Sequence, residues 1–573
     1  MNVLSHSSDL RTPFELGNAN QTTTWQDCIA FYEKLAARFP QVLHFTQIGV
    51  SDSGIPLHAG VITSDGEFDR STLKAANRFV FFNNNGIHPG EPEGIDACMA
   101  LVRDFCVQPE RLAALGKCVF LFIPVYNVDG CHNRQNTSRV NQDGPEMFGF
   151  RANGRNLDLN RDFIKCDSLA AQVFNQFFSA WQPDVMVDTH TSNGADYQYT
   201  MTLIQTQADK LGGDLGHFLR EKMVPAIFKE MEQRGWPTCP YVNPVKETPD
   251  DGIEDFLEVP RFSTGYAALH HTIGFMPETH MLKPYADRYA AMRHLVESVL
   301  QFSVQHAAQI QTARALAKQE SAAKTQWPVR WRANYDKPSY FRFRGYQAIT
   351  RPSKLGNYMR LAYDRNQPWE RDIAYFENFV PEHVVNTPQA YLIPRAWREV
   401  IERLQWNQVA LKRITQDQAV QVQTYHVVSV TSRAGAYEGH LFHDELTLNT
   451  QQETVLVRAG DVLVFLNQEN ARYAVETLEP QAHDSFFRWG FFNSILEKKE
   501  NFSDYVFEDS AAEMLDEEPE LREKFEQWKE TNPSLQSDQS AVLGFIFQNG
   551  QRYREPEWQR YPVFSVFDVA QIK

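Results

Sequence analysis

The run Arg78-Phe79-Val80-Phe81-Phe82 and the turn that follows it, Asn83-Asn84-Asn85-Gly86-Ile87-His88-Pro89-Gly90-Glu91, constrain this chain more than any other stretch. The run is apolar and short enough for a buried strand, and the amphipathic stretch from Pro92 to about Phe105 reads as the next helix. His88 and Glu91 therefore sit where a strand ends and a helix begins, the usual place for a site in an open α/β sheet. An imidazole and a carboxylate three residues apart reach one ion from a single tight turn, and Gly86, Pro89 and Gly90 give the backbone the shape that turn needs. The two side chains are candidate zinc ligands. Such pairs also arise by chance in a chain with 17 His and 72 acidic residues, so the reading depends on what lies downstream.

At 573 residues the chain is too long for one ordinary core, and two or three domains are expected. Its 42% hydrophobic and 22% charged residues are those of a globular protein. A formal net charge of −16 argues against a nucleic-acid partner, because phosphate binding is driven by Lys and Arg. The seven cysteines fall in the first half, without a Cys-x-x-Cys, a pattern that suits reduced thiols. Met1 to Asp9 has neither a basic start nor an apolar core, and no apolar run approaches the ~18 residues that span a bilayer. The expectation is a cytoplasmic protein with no membrane partner. The oligomeric state is not legible.

Along the chain, Thr24 reads as the N-cap of a helix through about Arg38. Val42 to Val50 and Leu57 to Thr63 form a hairpin around Ser51-Asp52-Ser53-Gly54. Further strands are expected at Cys118 to Val125, Asp184 to Asp188, ending near His190, and Ile273 to Met276, ending near Glu278. Helices are expected near Leu169 to Trp181 and Asp209 to Arg234, and one long helix from Pro284 to about Lys324. Apolar strands alternating with helices define a three-layer α/β arrangement, a mixed but mainly parallel sheet with helices on both faces. The change of pattern near Trp327 divides the chain into residues 1–327 and a β-rich C-terminal domain, 328–573. An acidic, solvated surface helix is expected near residues 517–530.

Several strands end at a polar residue that chemistry can use. A hydrolytic zinc site commonly has three protein ligands and leaves the fourth position for water, and two His with one Glu is a common set. His190, in Val187-Asp188-Thr189-His190, is the best third ligand. Glu278, in Phe275-Met276-Pro277-Glu278, follows an apolar strand, where partial burial raises its pKa to suit a general base.

In this order, His88-Pro89-Gly90-Glu91, Asp158-Leu159-Asn160-Arg161-Asp162-Phe163, His190 and Glu278 resemble the carboxypeptidase A-like zinc peptidases, in particular bacterial members with an extra β-rich region. The likeness covers roughly Trp25 to Leu300. It implies one zinc ion per chain and a peptide substrate with a free C-terminal carboxylate, from which the last residue is removed. It also implies that Asn160 and Arg161 hold that carboxylate, for which a guanidinium is suited by bidentate pairing. Asp158 matches the position that orients the first zinc histidine. Arg134, Arg139 and Arg151 are candidates for the arginine that steadies the oxyanion, and the segment Phe150-Arg151-Ala152-Asn153 favours Arg151. The family's mobile tyrosine has no clean match: Phe262 stands near its expected place, and Tyr266 is the substitute.

Other chemistries lack their signatures: the chain has no Gly-x-Ser-x-Gly elbow, no Gly-x-x-x-x-Gly-Lys loop and no His-Glu-x-x-His helix. Two alternatives remain. One is a zinc-dependent deacylase of N-acyl amino acids, which shares the ligand set. The other is a catalytically silent protein whose β-rich half binds a peptide or glycan; a retained Glu278 speaks against it.

Overall fold

The computed structural model describes residues 10–572, so the reading of Met1 to Asp9 lies outside the described residues. The first half is built on a nine-stranded sheet. Its strands are β1 (Leu43–Val50), β2 (Pro56–Ile62), β3 (Val80–Asn84), β4 (Val119–Ile123), β5 (Val185–Asp188), β6 (His190–Ser192), β7 (Met201–Gln205), β8 (Thr238–Pro240) and, after the short β9 (Asn243–Pro244) and β10 (Ile253–Glu254), β11 (Ile273–His280). The order is β1-β2-β4-β3-β5-β11-β7-β8, with β6 also pairing β11. β3 lies between β4 and β5 and runs parallel to both, and β5 and β6 run parallel to β11; β1, β2 and β7 add antiparallel pairs.

Every residue of β3 is buried, as a central strand covered on two faces requires. Successive side chains of a strand point to opposite faces. Phe81 meets Phe120, which in turn meets Phe105 of the helix Glu93–Val107, whereas the Phe82 ring meets Phe174, Phe177 and Phe178 of the helix Leu169–Trp181. Consecutive phenylalanines thus seat helices on the two faces, which makes the three layers.

Three sequence expectations are corrected. The long helix is two, Tyr285–Gln305 and Ala307–Ala322, because His306 leaves helical geometry at φ −113° and ψ 17° and turns its Nδ1 to the Phe302 carbonyl, 2.9 Å away. The region 209–234 is a chain of short helices, interrupted where Gly212 and Gly213 take positive φ of 69° and 51°. The strand expected to end at Met276 continues to His280, because β6 and β7 pair with its far end; Glu278 therefore lies inside a strand.

The second half contributes β12 (Gln326–Ala333), β13 (Ser339–Pro352), β14 (Met359–Phe376), β15 (Phe379–Asn386), β16 (Ala390–Ile393), β17 (Lys412–Arg413), β18 (Gln418–Ser432), β19 (His443–Val457), β20 (Val462–Phe465) and β21 (Phe564–Val566). These pack against the first half. β13 and β14 extend a sheet with β9 and β10 of the first half, and Trp327, Tyr391, Trp489 and Tyr561 belong to the same buried cluster as Phe81 and Val187. The acidic helix spans Pro519–Thr531, and its apolar stripe is covered: Leu521 and Phe525 pack with Phe507, Met514, Leu543 and Ile546 in a small helical core.

One buried ion pair ties this frame to the turn after β3. Arg288 is fully buried; its Nε donates to Glu93 Oε1 at 2.6 Å, and its other nitrogens donate to the carbonyls of Asp143, Gly144, Met281 and Lys283. Glu93 in turn accepts the Thr191 hydroxyl at 2.8 Å. Removing one partner leaves a buried charge uncompensated, at a cost of about 3–5 kcal/mol. Arg288→Met is expected to lower stability by about that amount, read as a shift of the urea midpoint at unchanged slope.

Candidate active site

The turn after β3 closes with the Glu91 N–H donating to the His88 carbonyl at 2.8 Å. Gly86 takes a φ of +65°, and a Cβ there would come within 2.9 Å of Ile95. Gly94 lets the following helix approach the strand end so closely that a Cβ would lie 1.9 Å from the Thr189 hydroxyl. His190 opens β6 and stands directly across from Glu278 of β11. The turn, β6 and β11 thereby converge at the carboxyl ends of neighbouring parallel strands.

His88, Glu91 and His190 are all buried, and one ligand atom from each lies within 4.8 Å of the other two. Both imidazoles present Nδ1 to the cluster: His88 Nδ1 is 3.3 Å from Glu91 Oε1, and His190 Nδ1 is 3.1 Å from Glu91 Oε2. Both Nε2 atoms face a carboxylate, Asp158 Oδ1 at 2.8 Å for His88 and Asp188 Oδ2 at 3.0 Å for His190. A carboxylate at Nε2 fixes the proton there and turns the Nδ1 lone pair inward. His88 Nδ1 has no hydrogen-bond partner although it is buried. Two imidazoles, one carboxylate and an orphaned nitrogen facing a common centre fit zinc.

The surrounding charges hold the acids ionised. Burial works to raise the Glu91 pKa, but Arg139 and the two imidazoles hold it well below the usual carboxylate range. Asp158 is likewise lowered against its burial by His88, Arg151 and Arg161. Glu278 goes the other way: burial, aided by the charge of Glu91, raises it to about 8, although His190, Arg151 and Arg139 pull it down. Its Oε2 is buried and has no hydrogen-bond partner.

His88, Glu91, Arg151, Asn160, Arg161, His190 and Glu278 all line one cavity of about 510 Å³. Asn160 Oδ1 accepts the Ser263 N–H at 3.2 Å, and the Arg161 guanidinium lies 4.5 Å over the Phe262 ring. Asp158 sits behind them, bound to His88 and to Arg151 Nε at 2.9 Å. Of the three arginines, Arg134 is spent on the carbonyls of Thr22, Thr23 and Met147. Arg139 lines the cavity but is pinned at Nε by Gln142 and at its other nitrogens by Glu91 and the Thr191 carbonyl. Arg151 is the most exposed of the groups around Glu91, 44% at the side chain.

Tyr266 is corrected. It is fully buried, its hydroxyl donates to Asn407 Oδ1 at 2.6 Å, and its ring packs on Phe163, Phe178 and His270, away from the cavity. Phe262 caps the helix Ser263–Leu269 and faces the cavity, whereas Tyr266, one turn later, faces the core. The tyrosine that lines the cavity is Tyr241, just past β8, its ring edge-on to Phe256 at 5.9 Å. Its only sequence signal was a place after a short strand. Asp188 was also missed, though an acid two residues before a ligand histidine on extended chain falls on the same face.

Residues 28–205 match the family described as zinc carboxypeptidase. Carboxypeptidase 2 of Trichophyton equinum is 26% identical over 445 residues, 71% of this chain and 72% of its own length. Probable carboxypeptidase 2 of Arthroderma benhamiae is 24% identical over 432 residues, 70% of this chain and 73% of its own. A metallo-carboxypeptidase structure from Burkholderia cenocepacia is similar at 14% identity and a TM-score of 0.38, over 50% of this chain and 70% of that one. The chain is a metal-dependent peptide hydrolase of the α/β class. Over residues 28–205 it is similar to the zinc carboxypeptidases, and as a zinc metallocarboxypeptidase it acts at the C-terminal end of peptides.

The carboxylates behind the two histidines set the ligand strength. Asp188→Asn is expected to weaken zinc binding about 10- to 100-fold, measured by competition with a chromogenic chelator.

Proposed function

We propose that the protein removes single C-terminal residues from peptides, with His88, Glu91 and His190 as zinc ligands, Glu278 as the general base and Arg151 as the oxyanion donor. What supports this reading most is Glu278: a carboxylate beside the ligand cluster, facing the cavity, with one buried oxygen free of any hydrogen bond. Zinc bound by the three ligands supplies Lewis-acid polarisation of the scissile carbonyl and lowers the pKa of water towards ~7. Glu278 takes the proton from the attacking water and returns it to the leaving amine. Arg151 Nη1, 3.2 Å from Glu91 and open to the cavity, turns towards the oxygen on which charge develops. Asn160 and Arg161 receive the terminal carboxylate of the substrate, which confines cleavage to the last peptide bond.

The walls near that anchor favour an apolar terminal side chain. Ile204, Tyr241, Phe256, Phe262 and Met276 line the cavity, and among the described residues Glu91 and Glu278 are its only acids. Tyr241 lies near Arg151 and Arg161 as well as the two acids, in a position to cover bound substrate.

Glu278→Gln is expected to retain one zinc per chain by elemental analysis and to lose about 10²- to 10⁴-fold in kcat; equal loss of metal would falsify the division of roles. Peptides ending in Phe or Leu should lose their terminal residue, and the same peptides with an amidated C-terminus should not, as read by mass spectrometry. The base must be ionised to act, so activity is kept at high pH and lost as pH falls through its pKa. With that pKa raised by burial, the acid limb of kcat/KM should lie clearly above the ordinary carboxylate value of 4.5 and at or below about 8. A limb at the ordinary carboxylate value would remove Glu278 from the role.

A further inference from the structure

The turn that carries Asn160 and Arg161 is held from outside by the second half of the chain. β18 and β19 are joined through residues 433–442, whose tip is Glu438-Gly439. Tyr437 and His440 exchange both backbone hydrogen bonds, at 2.8 and 3.0 Å, and both tip residues take positive φ, 51° and 84°. This is the backbone of a type I′ hairpin turn, where Asn, Asp and Gly are the favoured residues. A glutamate in the left-handed region is strained, and local turn chemistry gives no reason for it.

Its reach does. Glu438 Oε2 accepts the backbone N–H of Asp158 at 2.8 Å. Asp158 Oδ1 accepts the N–H of Asn160 at 2.8 Å, so the contact fixes the start of the anchoring turn. Other groups of the second half grip the same segment: His440 Nε2 is 2.6 Å from Asp167 Oδ2, and Arg403 Nε donates to the Lys165 carbonyl at 2.6 Å. The opposite wall is held too. Arg261, next to Phe262, pairs with Asp484 and lies over the rings of Tyr437, Phe442 and Trp489.

We propose that Glu438 is a positioning residue for the substrate-carboxylate anchor, so that the β-rich half completes the active site. The inference rests on the reading of Asn160 and Arg161 as that anchor. Glu438→Asn suits the turn better than glutamate does, and its side chain is one methylene too short to reach Asp158. Glu438→Gln keeps an acceptor oxygen at the original reach.

The test uses the zinc-loaded full chain, steady-state kinetics on a peptide ending in free Phe, equilibrium binding of L-phenylalanine, zinc content and thermal melting. Glu438→Asn should raise KM and weaken L-phenylalanine binding roughly 10-fold, the scale of one charge-assisted hydrogen bond. Its kcat should stay within about 2-fold, its zinc content should be unchanged and its melting temperature equal or higher, since the strain is relieved. Glu438→Gln should return KM to within about 3-fold of wild type, because the acceptor is restored. The proposal is overturned if Glu438→Asn leaves KM and L-phenylalanine binding unchanged, or changes them only together with loss of zinc or a lower melting temperature. If the wild type cleaves no peptide, the reading of the site fails on its own, and L-phenylalanine binding still decides the role of Glu438; absence of both overturns both.

Discussion

The site depends on one buried carboxylate staying charged. Glu91 is 2% exposed, and taking such an ion out of water costs several kcal/mol unless its oxygens are paired and hydrogen-bonded. Its Oε1 receives Arg139 at 2.6 Å and Arg151 at 3.2 Å, and its Oε2 receives the Thr191 N–H at 2.9 Å. These partners come from two separate segments, the long loop between β4 and β5 and the start of β6. The parallel pairing of β3 with both β4 and β5 is what brings them to one place. The order of the central strands is therefore a requirement of the ligand set as much as of the core.

Two carboxylates near this centre are driven in opposite directions, and their roles follow from that. Glu91 is surrounded by cations and stays ionised, as a metal ligand must. Glu278 is also buried but has no donor on its Oε2, and it is raised to about 8, chiefly by that burial. Pairs of acids whose environments separate their pKa values commonly divide the work of holding charge and moving protons. The sheet sets the separation: Glu278 lies within a strand whose neighbours on both sides use the backbone, leaving its side chain to the cavity alone.

The central strands and the ligand turn were legible because the signals are local: a short apolar run, a glycine-bearing turn and a polar residue at a strand end. His88, Glu91, His190 and Glu278 fall in such places, and the structure gathers them around one cavity. Tyr266 was misread because one helical turn separates a cavity face from a core face, and sequence places neither face without knowing what packs behind. His306 breaks a helix that hydrophobic spacing carries straight through, since its break is made by a side chain bonding back to the carbonyl four residues earlier. Asp188 was legible in principle from its place two residues before His190. Glu438 was not, since nothing local connects residue 438 to residue 158.

The same limit applies at residue 327, where the pattern changes and buried residues of both sides pack in one cluster. Period-2 patterning reports strands but not what their inner faces pack against. Asn407 shows what they meet: its Oδ1 accepts the Tyr266 hydroxyl at 2.6 Å and faces His270 Nε2 at 3.1 Å, while its Nδ2 donates to Asn175 at 2.8 Å. All four residues are buried. Each buried polar group left without its partner costs about 1–3 kcal/mol. A first half without Asn407 would carry three such groups, one of them on the Tyr266 ring that packs against Phe163 and Phe174. The β-rich half thus packs against the segment that carries the anchor, and the two halves share one buried interior.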